Sequence, residues 1–334
     1  MRPTFVISFD TELIWGSFTH TSPAEFARQY PQVRETIALI LGLLDRYEIS
    51  ATWAVVGHLF LAGCTRDSNG MAHPEMTHPG FSWYPMDWFA TDPCSARSTD
   101  PLWYGDDIVD LILSARTQQE IGCHSFSHPP FGDAECTREV AVSEIDACVR
   151  LAKARGIDLR SFVFPRNSEG HLDVLRERGI VAYRGSDPMW FRSLPPTLRA
   201  AAHFLDHALA LPPPVSSAME TQPGLWNMPG SMLLLHRMGI RRFVPLRFRV
   251  RKARIGLRRA IREGKVFHLW THPFNLTIDR RGMLAALEAI LQEAHRLREA
   301  GTLSIEPMGA LAARLAASVA DPDAAPDPGV TGAG

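Results

Sequence analysis

The sequence has few of the features that mark disulfide-framed, membrane-spanning or nucleic-acid-binding chains. Its five cysteines, at 64, 94, 123, 136 and 148, are odd in number and contain no CxxC pair. That argues against a disulfide framework and for reduced thiols. No apolar run approaches the roughly 20 residues of a membrane-spanning helix. The first residues, Met1-Arg-Pro-Thr, lead straight into a strand pattern and lack the basic, apolar and small-residue regions of a signal peptide. The expected location is therefore the cytoplasm. A formal net charge of -1, with 46% hydrophobic and 21% charged residues, describes an ordinary globular chain with no overall excess of positive charge to suggest nucleic acid. No internal repeat is present.

What the chain does contain is an alternation of short apolar strands and amphipathic helices. Strands are predicted near 4–10, 51–56, 119–124, 161–165, 181–184 and 265–271, and helices near 33–47, 106–117, 137–155 and 284–300. Such alternation implies a parallel sheet. With 334 residues, it predicts an α/β fold, a distorted barrel of seven or eight βα units. In that architecture chemistry sits at the carboxyl ends of the strands.

Two of those ends carry metal-ligand chemistry. His124-Ser-Phe-Ser-His128 places two imidazoles four residues apart after a predicted strand, and Phe5-Val-Ile-Ser-Phe-Asp10-Thr-Glu12 ends a buried strand with two carboxylates. Residues two apart on a strand share a face. Two histidines and one carboxylate, with a position left for water, suit a catalytic divalent ion.

Five blocks in fixed order, SFDTE (8–12), GCHSFSH (122–128), FVFPRN (162–167), YRGSD (183–187) and FHLWTHPFN (267–275), resemble the polysaccharide deacetylase family, also called the NodB-homology or carbohydrate esterase family 4 group. The resemblance covers residues 3 to about 310 and is closest to a branch of exopolysaccharide and capsule biosynthesis. FDTE stands where TFDDG is commoner, and FPRN replaces an RPPY-like block. The resemblance implies that His124 and His128 hold the ion and that Asp10 is the catalytic base. The family's second aspartate falls on Thr11, so Glu12 takes the remaining ligand position; the reverse assignment, with Asp10 ligating and Glu12 as base, stays open. Arg166 is the expected partner of the base, His272 the general acid, and Asp187 a group that orients His272. His268 is read either as a deeper support for His272 or as a buried structural histidine.

The implied activity is a metal-dependent hydrolysis that removes an acetyl group from an N-acetylated sugar, whether polysaccharide, lipid-linked or nucleotide-linked, in surface polysaccharide biosynthesis. An amidohydrolase acting on a non-sugar N-acyl or ureide compound, and a catalytically silent carbohydrate-binding barrel, are the alternatives. Zinc fits the donors, as do nickel, cobalt and iron.

Residues 61–105 read as a long loop over the barrel mouth, a length usually tied to function. Its Trp83, Tyr84, Trp88, Trp103 and Tyr104 either stack on sugar rings, with Trp103 and Tyr104 as the candidate substrate contacts, or pack the loop onto the barrel. Its His73 and His78 are expected to face solvent. Asn167 and Asn275 have the chemistry to bind sugar hydroxyls or to cap loops. Residues 237–265 hold ten Arg and two Lys against one acid, Glu263. This basic amphipathic pattern fits a membrane surface or an anionic lipid-linked substrate, or a solvated helix balanced by acidic neighbours. The barrel domain is expected over 1–317, with a disordered tail over 318–334.

Overall fold

Thr4–Thr11 form a strand (β1) in which every residue is buried, as expected where a parallel sheet is covered on both faces. The computed structural model describes residues 2–320. After β1 come α1 (Pro23–Gln29), α2 (Val33–Arg46), β2 (Thr52–Val55), α3 (Asp106–Leu113), β3 (Glu120–Cys123), α4 (Arg138–Lys153), β4 (Ser161–Val163), α5 (Leu172–Glu177) and β5 (Ala182–Arg184). The chain continues through α6 (Pro196–Ala208), β6 (Met219–Gln222), β7 (Leu225–Asn227), β8 (Met232–Leu233), α7 (Leu246–Glu263), β9 (Val266–Thr271), α8 (Arg280–Glu299), β10 (Ser304–Ile305) and α9 (Met308–Ala320).

The sheet runs β6-β7-β5-β4-β3-β2-β1-β9-β8, with β10 beside β1, and its pairings are parallel except for β6 with β7. Because β7 pairs with β5 and β8 with β9, residues 225–233 span the two edges as one broken stave. The result is the distorted α/β barrel expected from the alternation. At the break the Gly230 N–H donates to the Gly185 carbonyl (3.0 Å) and the Ser231 N–H to the His268 carbonyl (2.8 Å). A Cβ on Gly230 would stand 1.9 Å from Asp187 Oδ1, so glycine is required for the approach.

Local sequence explains the main helices. In α2, Val33, Ile37, Ile40, Leu41 and Leu44 are buried at helical spacing. Thr137 starts α4 by accepting the Val140 N–H on its side chain, and Gly264 ends α7 in the left-handed region at φ 62°. Among the described residues no helix is long and apolar enough to cross a membrane.

The structure corrects several expectations outside the active site. Residues 61–105 contain no helix or strand, but their rings make a small core rather than a sugar-stacking face. Tyr84, Trp88, Trp103 and Tyr104 are buried and only Trp83 is well exposed. Trp15 meets Trp103 edge-on at 5.0 Å and Phe18 meets Trp88 at 5.0 Å. Trp103 and Tyr104 thus belong to the loop's interior, because removing that much apolar ring from water outweighs keeping it for a ligand. His73 is buried, contrary to expectation, whereas His78 is partly exposed and pairs with Asp87 at 2.6 Å.

The basic segment is divided. Arg249 and Lys252 are buried, Lys252 against Asp206, while Arg259, Arg262 and Lys265 surround Glu263. Arg247, Arg251, Arg254 and Arg258 remain on the outer face of α7. At the C-terminus α9 extends through Ala320, past the expected start of the tail at 318; the remainder of that tail lies outside the described residues.

Candidate active site

Asp10 and Glu12 stand at the carboxyl end of β1, flanked by β2 and β9. The histidine pentad follows β3, and His272 follows β9. Asp10, Glu12, His124, His128, Arg166, Asn167, Trp270 and His272 all line one cavity of about 170 Å³. The strand-end residues singled out from the sequence therefore converge, with two exceptions in detail.

Glu12 groups with the two histidines. Its Oε2 is 2.9 Å from His128 Nε2 and 3.3 Å from His124 Nε2. The His124 Nδ1–H donates to the Val163 carbonyl at 2.7 Å, which leaves the Nε2 lone pair facing Glu12. These separations match donors about 2 Å from one tetrahedral ion, for which neighbouring ligands sit about 3.3 Å apart. The donor set thus fits a divalent metal. Glu12 is further placed by Gly16, where an added Cβ would lie 2.2 Å from the Glu12 carboxyl carbon.

The pentad adopts an unusual backbone, with Ser125 at φ 58° and His128 at φ 66°. Non-glycine residues hold such angles only where their surroundings enforce them. Here the enforcing group is buried Glu144 of α4. It accepts the Ser127 N–H at 2.7 Å and the Ser127 hydroxyl at 2.5 Å. Burial pushes the Glu144 carboxyl up to about 7 despite those bonds.

Asp10 is held differently, and here the sequence expectation fails. Its partner is Arg184, not Arg166. Arg184 Nη1 and Nη2 donate to Asp10 Oδ1 and Oδ2, both at 2.6 Å. Arg184 also donates to Ser8 Oγ and to Asn167 Oδ1, both at 3.2 Å, and its guanidinium lies 4.1 Å over the Trp270 ring. Burial would raise the Asp10 carboxyl, but the charge and hydrogen bonds of Arg184 override it and hold Asp10 below its ordinary range. Burial likewise opposes the charged form of Glu12, and the neighbouring His272 and His128 bring it well below.

Arg166 instead donates to Thr19 Oγ1 at 2.7 Å and lies 5.0 Å over the exposed Trp83 ring. The reason is backbone conformation: Arg166 and Asn167 sit in a turn at φ 55° and 51°, which turns Arg166 toward the cavity rim. Arg184 lay inside the YRGSD block, and as the last residue of β5 it had the same strand-end signal as Asp10. A single turn residue beside a proline masked that signal.

His272 Nε2 stands 3.3 Å from Glu12 Oε1 and 3.8 Å from Asp10 Oδ2. Buried Asn275 is its support rather than a free sugar contact: the Asn275 amide lies 3.4 Å from His272 Nδ1, on the side of the ring away from Nε2, which faces Asp10 and Glu12. Asp187 does not orient His272; it accepts the Trp270 Nε1–H at 3.1 Å. His268 is a buried structural histidine, pushed down to about 3 chiefly by burial. Its Nδ1–H donates to the Met228 carbonyl (3.1 Å), and its Nε2 accepts the Ser8 hydroxyl (2.9 Å). Ser8 in turn supports Arg184.

With this geometry in place, solved structures give the relation. A Mycobacterium smegmatis protein described as a polysaccharide deacetylase matches with a TM-score of 0.61 at 16% identity, covering 95% of this chain and 91% of that one. The chain has the polysaccharide deacetylase fold. A Pseudomonas aeruginosa protein also described as a polysaccharide deacetylase matches this fold at TM-score 0.53 and 11% identity, over 91% of this chain and 87% of that one. Puue Allantoinase matches at 0.57 and 12%, over 94% and 90%. No family model and no curated protein matches the sequence.

Proposed function

We propose that the chain is a metal-dependent N-deacetylase of the polysaccharide deacetylase family, acting on an N-acetylated sugar in surface polysaccharide biosynthesis. The observation that carries this reading is the convergence of Glu12, His124 and His128 on one point, opposite the Asp10–Arg184 pair and His272, in a single cavity. Glu12, His124 and His128 would hold the ion, zinc before nickel, cobalt or iron. When bound, such an ion polarises the acyl carbonyl and lowers the pKa of water from about 16 toward about 7.

The chain's own residues supply the proton transfers. Asp10, kept ionised by Arg184, takes a proton from the attacking water as its oxygen bonds to the carbonyl carbon. Arg184 aims that carboxylate through two parallel hydrogen bonds. As the C–N bond breaks, its electron pair passes to nitrogen, which receives the Nε2 proton of a His272 imidazolium, and the ring is left as neutral imidazole. The products are acetate and the free amine.

Beyond Arg166, Asn167 and Trp270 the site continues into a second cavity of about 400 Å³, where Arg192 and Arg199 contribute positive charge beside Asp187. This extension supports a sugar carried on an anionic group, either a nucleotide or a lipid pyrophosphate. The outward arginines of α7, with exposed Ile240 and Phe243 in the turn Gly239–Phe243 that precedes it, support a peripheral contact with an anionic membrane face, consistent with action in the cytoplasm. The allantoinase likeness gives a second reading, hydrolysis of a ureide amide with the same groups.

The test is acetate release from N-acetylated sugar oligomers and nucleotide-linked N-acetyl sugars, with allantoin hydrolysis in parallel, for the wild type and for Glu12→Gln and His128→Ala. Loss of one ion per chain together with acetate release in both variants is the expected result. Allantoin turnover without acetate release moves the substrate to the ureides. No turnover of any substrate by the metal-loaded wild type leaves a binding barrel.

A further inference from the structure

A second group of metal-binding side chains sits outside the barrel cavity, where the 61–105 insertion meets the end of β2. His58 lies on the 3-10 turn Gly57–Phe60 and is fully buried. His73 and Asp92 come from the insertion and are also buried, and Cys64 is half-buried with a free thiol. Their donor atoms face one another. His58 Nε2 is 3.1 Å from His73 Nε2 and 2.9 Å from Asp92 Oδ2, and His73 Nε2 is 2.8 Å from the same oxygen. Cys64 Sγ stands 3.6 Å from Asp92 Oδ2 and 4.0 Å from His58 Nε2. One donor from each residue lies within 4.8 Å of all the others. Four donors about 2.0–2.3 Å from a tetrahedral ion would be spaced by about 3.3–3.7 Å, so only a slight expansion of the nitrogens and oxygen is needed.

Two further observations separate this group from an ordinary polar network. The His58 Nδ1–H points at the Trp103 carbonyl at 3.0 Å, so its Nε2 presents a lone pair to His73 Nε2 and the Asp92 carboxylate. A hydrogen bond of that kind on the far ring nitrogen is the usual support of a ligating histidine. The same turn is also clasped to the histidine pentad: the Gly57 N–H donates to the Ser125 carbonyl at 2.7 Å and the His58 N–H to the Phe126 carbonyl at 2.9 Å.

We propose that His58, Cys64, His73 and Asp92 form a second metal site, a closed four-donor structural site for a zinc-class ion. It ties the insertion to the barrel and, through the Gly57–His58 clasp, braces the segment that carries His124 and His128. With four protein donors it leaves no open position for substrate. Cys64 gives up its thiol proton on binding. This assignment does not depend on the chemistry proposed for the barrel cavity.

The first site has no sulfur donor, which allows the two to be told apart. The full chain, purified under reducing conditions, is assayed for metal content and, after cobalt loading, for a thiolate-to-cobalt charge-transfer band. The wild type is expected to hold about two ions per chain and to show the band. Glu12→Gln should hold about one ion and keep the band, whereas Cys64→Ser should hold about one and lose it. Asp92→Asn should lower cobalt affinity at the sulfur site by roughly tenfold or more. Should Cys64→Ser fail to fold, the wild type and Glu12→Gln spectra decide the matter, since neither alters the second cluster. Absence of the band in both overturns the proposal, and so does a Cys64–Cys94 disulfide found by non-reducing peptide mapping. Loss of only the sulfur-free ion would count against the barrel site alone.

Discussion

Asp10, Glu12, His124, Arg184 and His272 are set by the carboxyl ends of β1, β3, β5 and β9, whereas Cys64, His73 and Asp92 are gathered by a 61–105 insertion that has no strand or helix of its own. In the first region the backbone ladder fixes each side chain's direction, because alternate residues of a strand face opposite sides. In the second, direction comes from ring packing and from a few long-range hydrogen bonds. Positions in the barrel are over-determined by register, while those in the insertion depend on one another. Substitutions should therefore remove chemistry in the first region and order in the second.

The largest effect is expected at Arg184. Arg184→Ala leaves the Asp10 carboxylate buried without its partner, at a cost of about 3–5 kcal/mol in stability. Urea denaturation measures the loss, and activity should fall with it. An unchanged midpoint would mean that the strand-end site is not held by this pair.

The next test concerns Glu144, whose carboxyl is pushed up to about 7 from an ordinary value of 4.5. A raised folded-state value means that its stabilising contribution is fully present below about 4.5 and is lost as pH rises through about 7. That share is on the order of 3 kcal/mol. Glu144→Gln keeps an acceptor for Ser127 but cannot titrate, so its stability should lack this decline. Equal pH profiles for the two proteins would remove Glu144 as the anchor of the pentad.

Gly16→Ala sharpens the barrel side of the comparison. Its added methyl collides with the Glu12 carboxyl group and should weaken metal binding there by about 10–100-fold, read by competition with a chelator, while leaving the sulfur site's cobalt band unaltered. The smallest effect is expected at the rim. Trp83→Ala removes the ring beneath Arg166, worth about 1 kcal/mol, and should raise KM several-fold with kcat nearly unchanged. A fall in kcat instead would place Arg166 in the reaction rather than at the entrance.

Much of the barrel was legible because both of its signals are local. The apolar strands at 4–10, 119–124 and 265–271 correspond to β1, β3 and β9, and the FDTE and HSFSH blocks fall at their ends. The expectation at Arg166 rested on the likeness of the FPRN block to the family, and that block forms a turn. At φ 55° the chain no longer alternates, and the guanidinium that reaches Asp10 belongs to the next strand. The 61–105 aromatics misled for a different reason: nothing in a run of separate Trp and Tyr residues tells whether their partners are sugars or one another. His58 drew no attention at all, since its companions lie 6, 15 and 34 positions further along, at 64, 73 and 92, in no repeating interval.

By itself the sequence determined the α/β alternation, the barrel it implies and the strand-end placement of Asp10, Glu12, His124, His128 and His272, because periodicity and strand termination are properties of neighbouring residues. Only the tertiary structure decided that Arg184 rather than Arg166 clasps Asp10, that Asn275 holds the His272 ring, and that His58, Cys64, His73 and Asp92 meet. Those pairings join residues brought together by sheet closure and loop packing. They are set by which groups must be satisfied when water is excluded, which no local interval records.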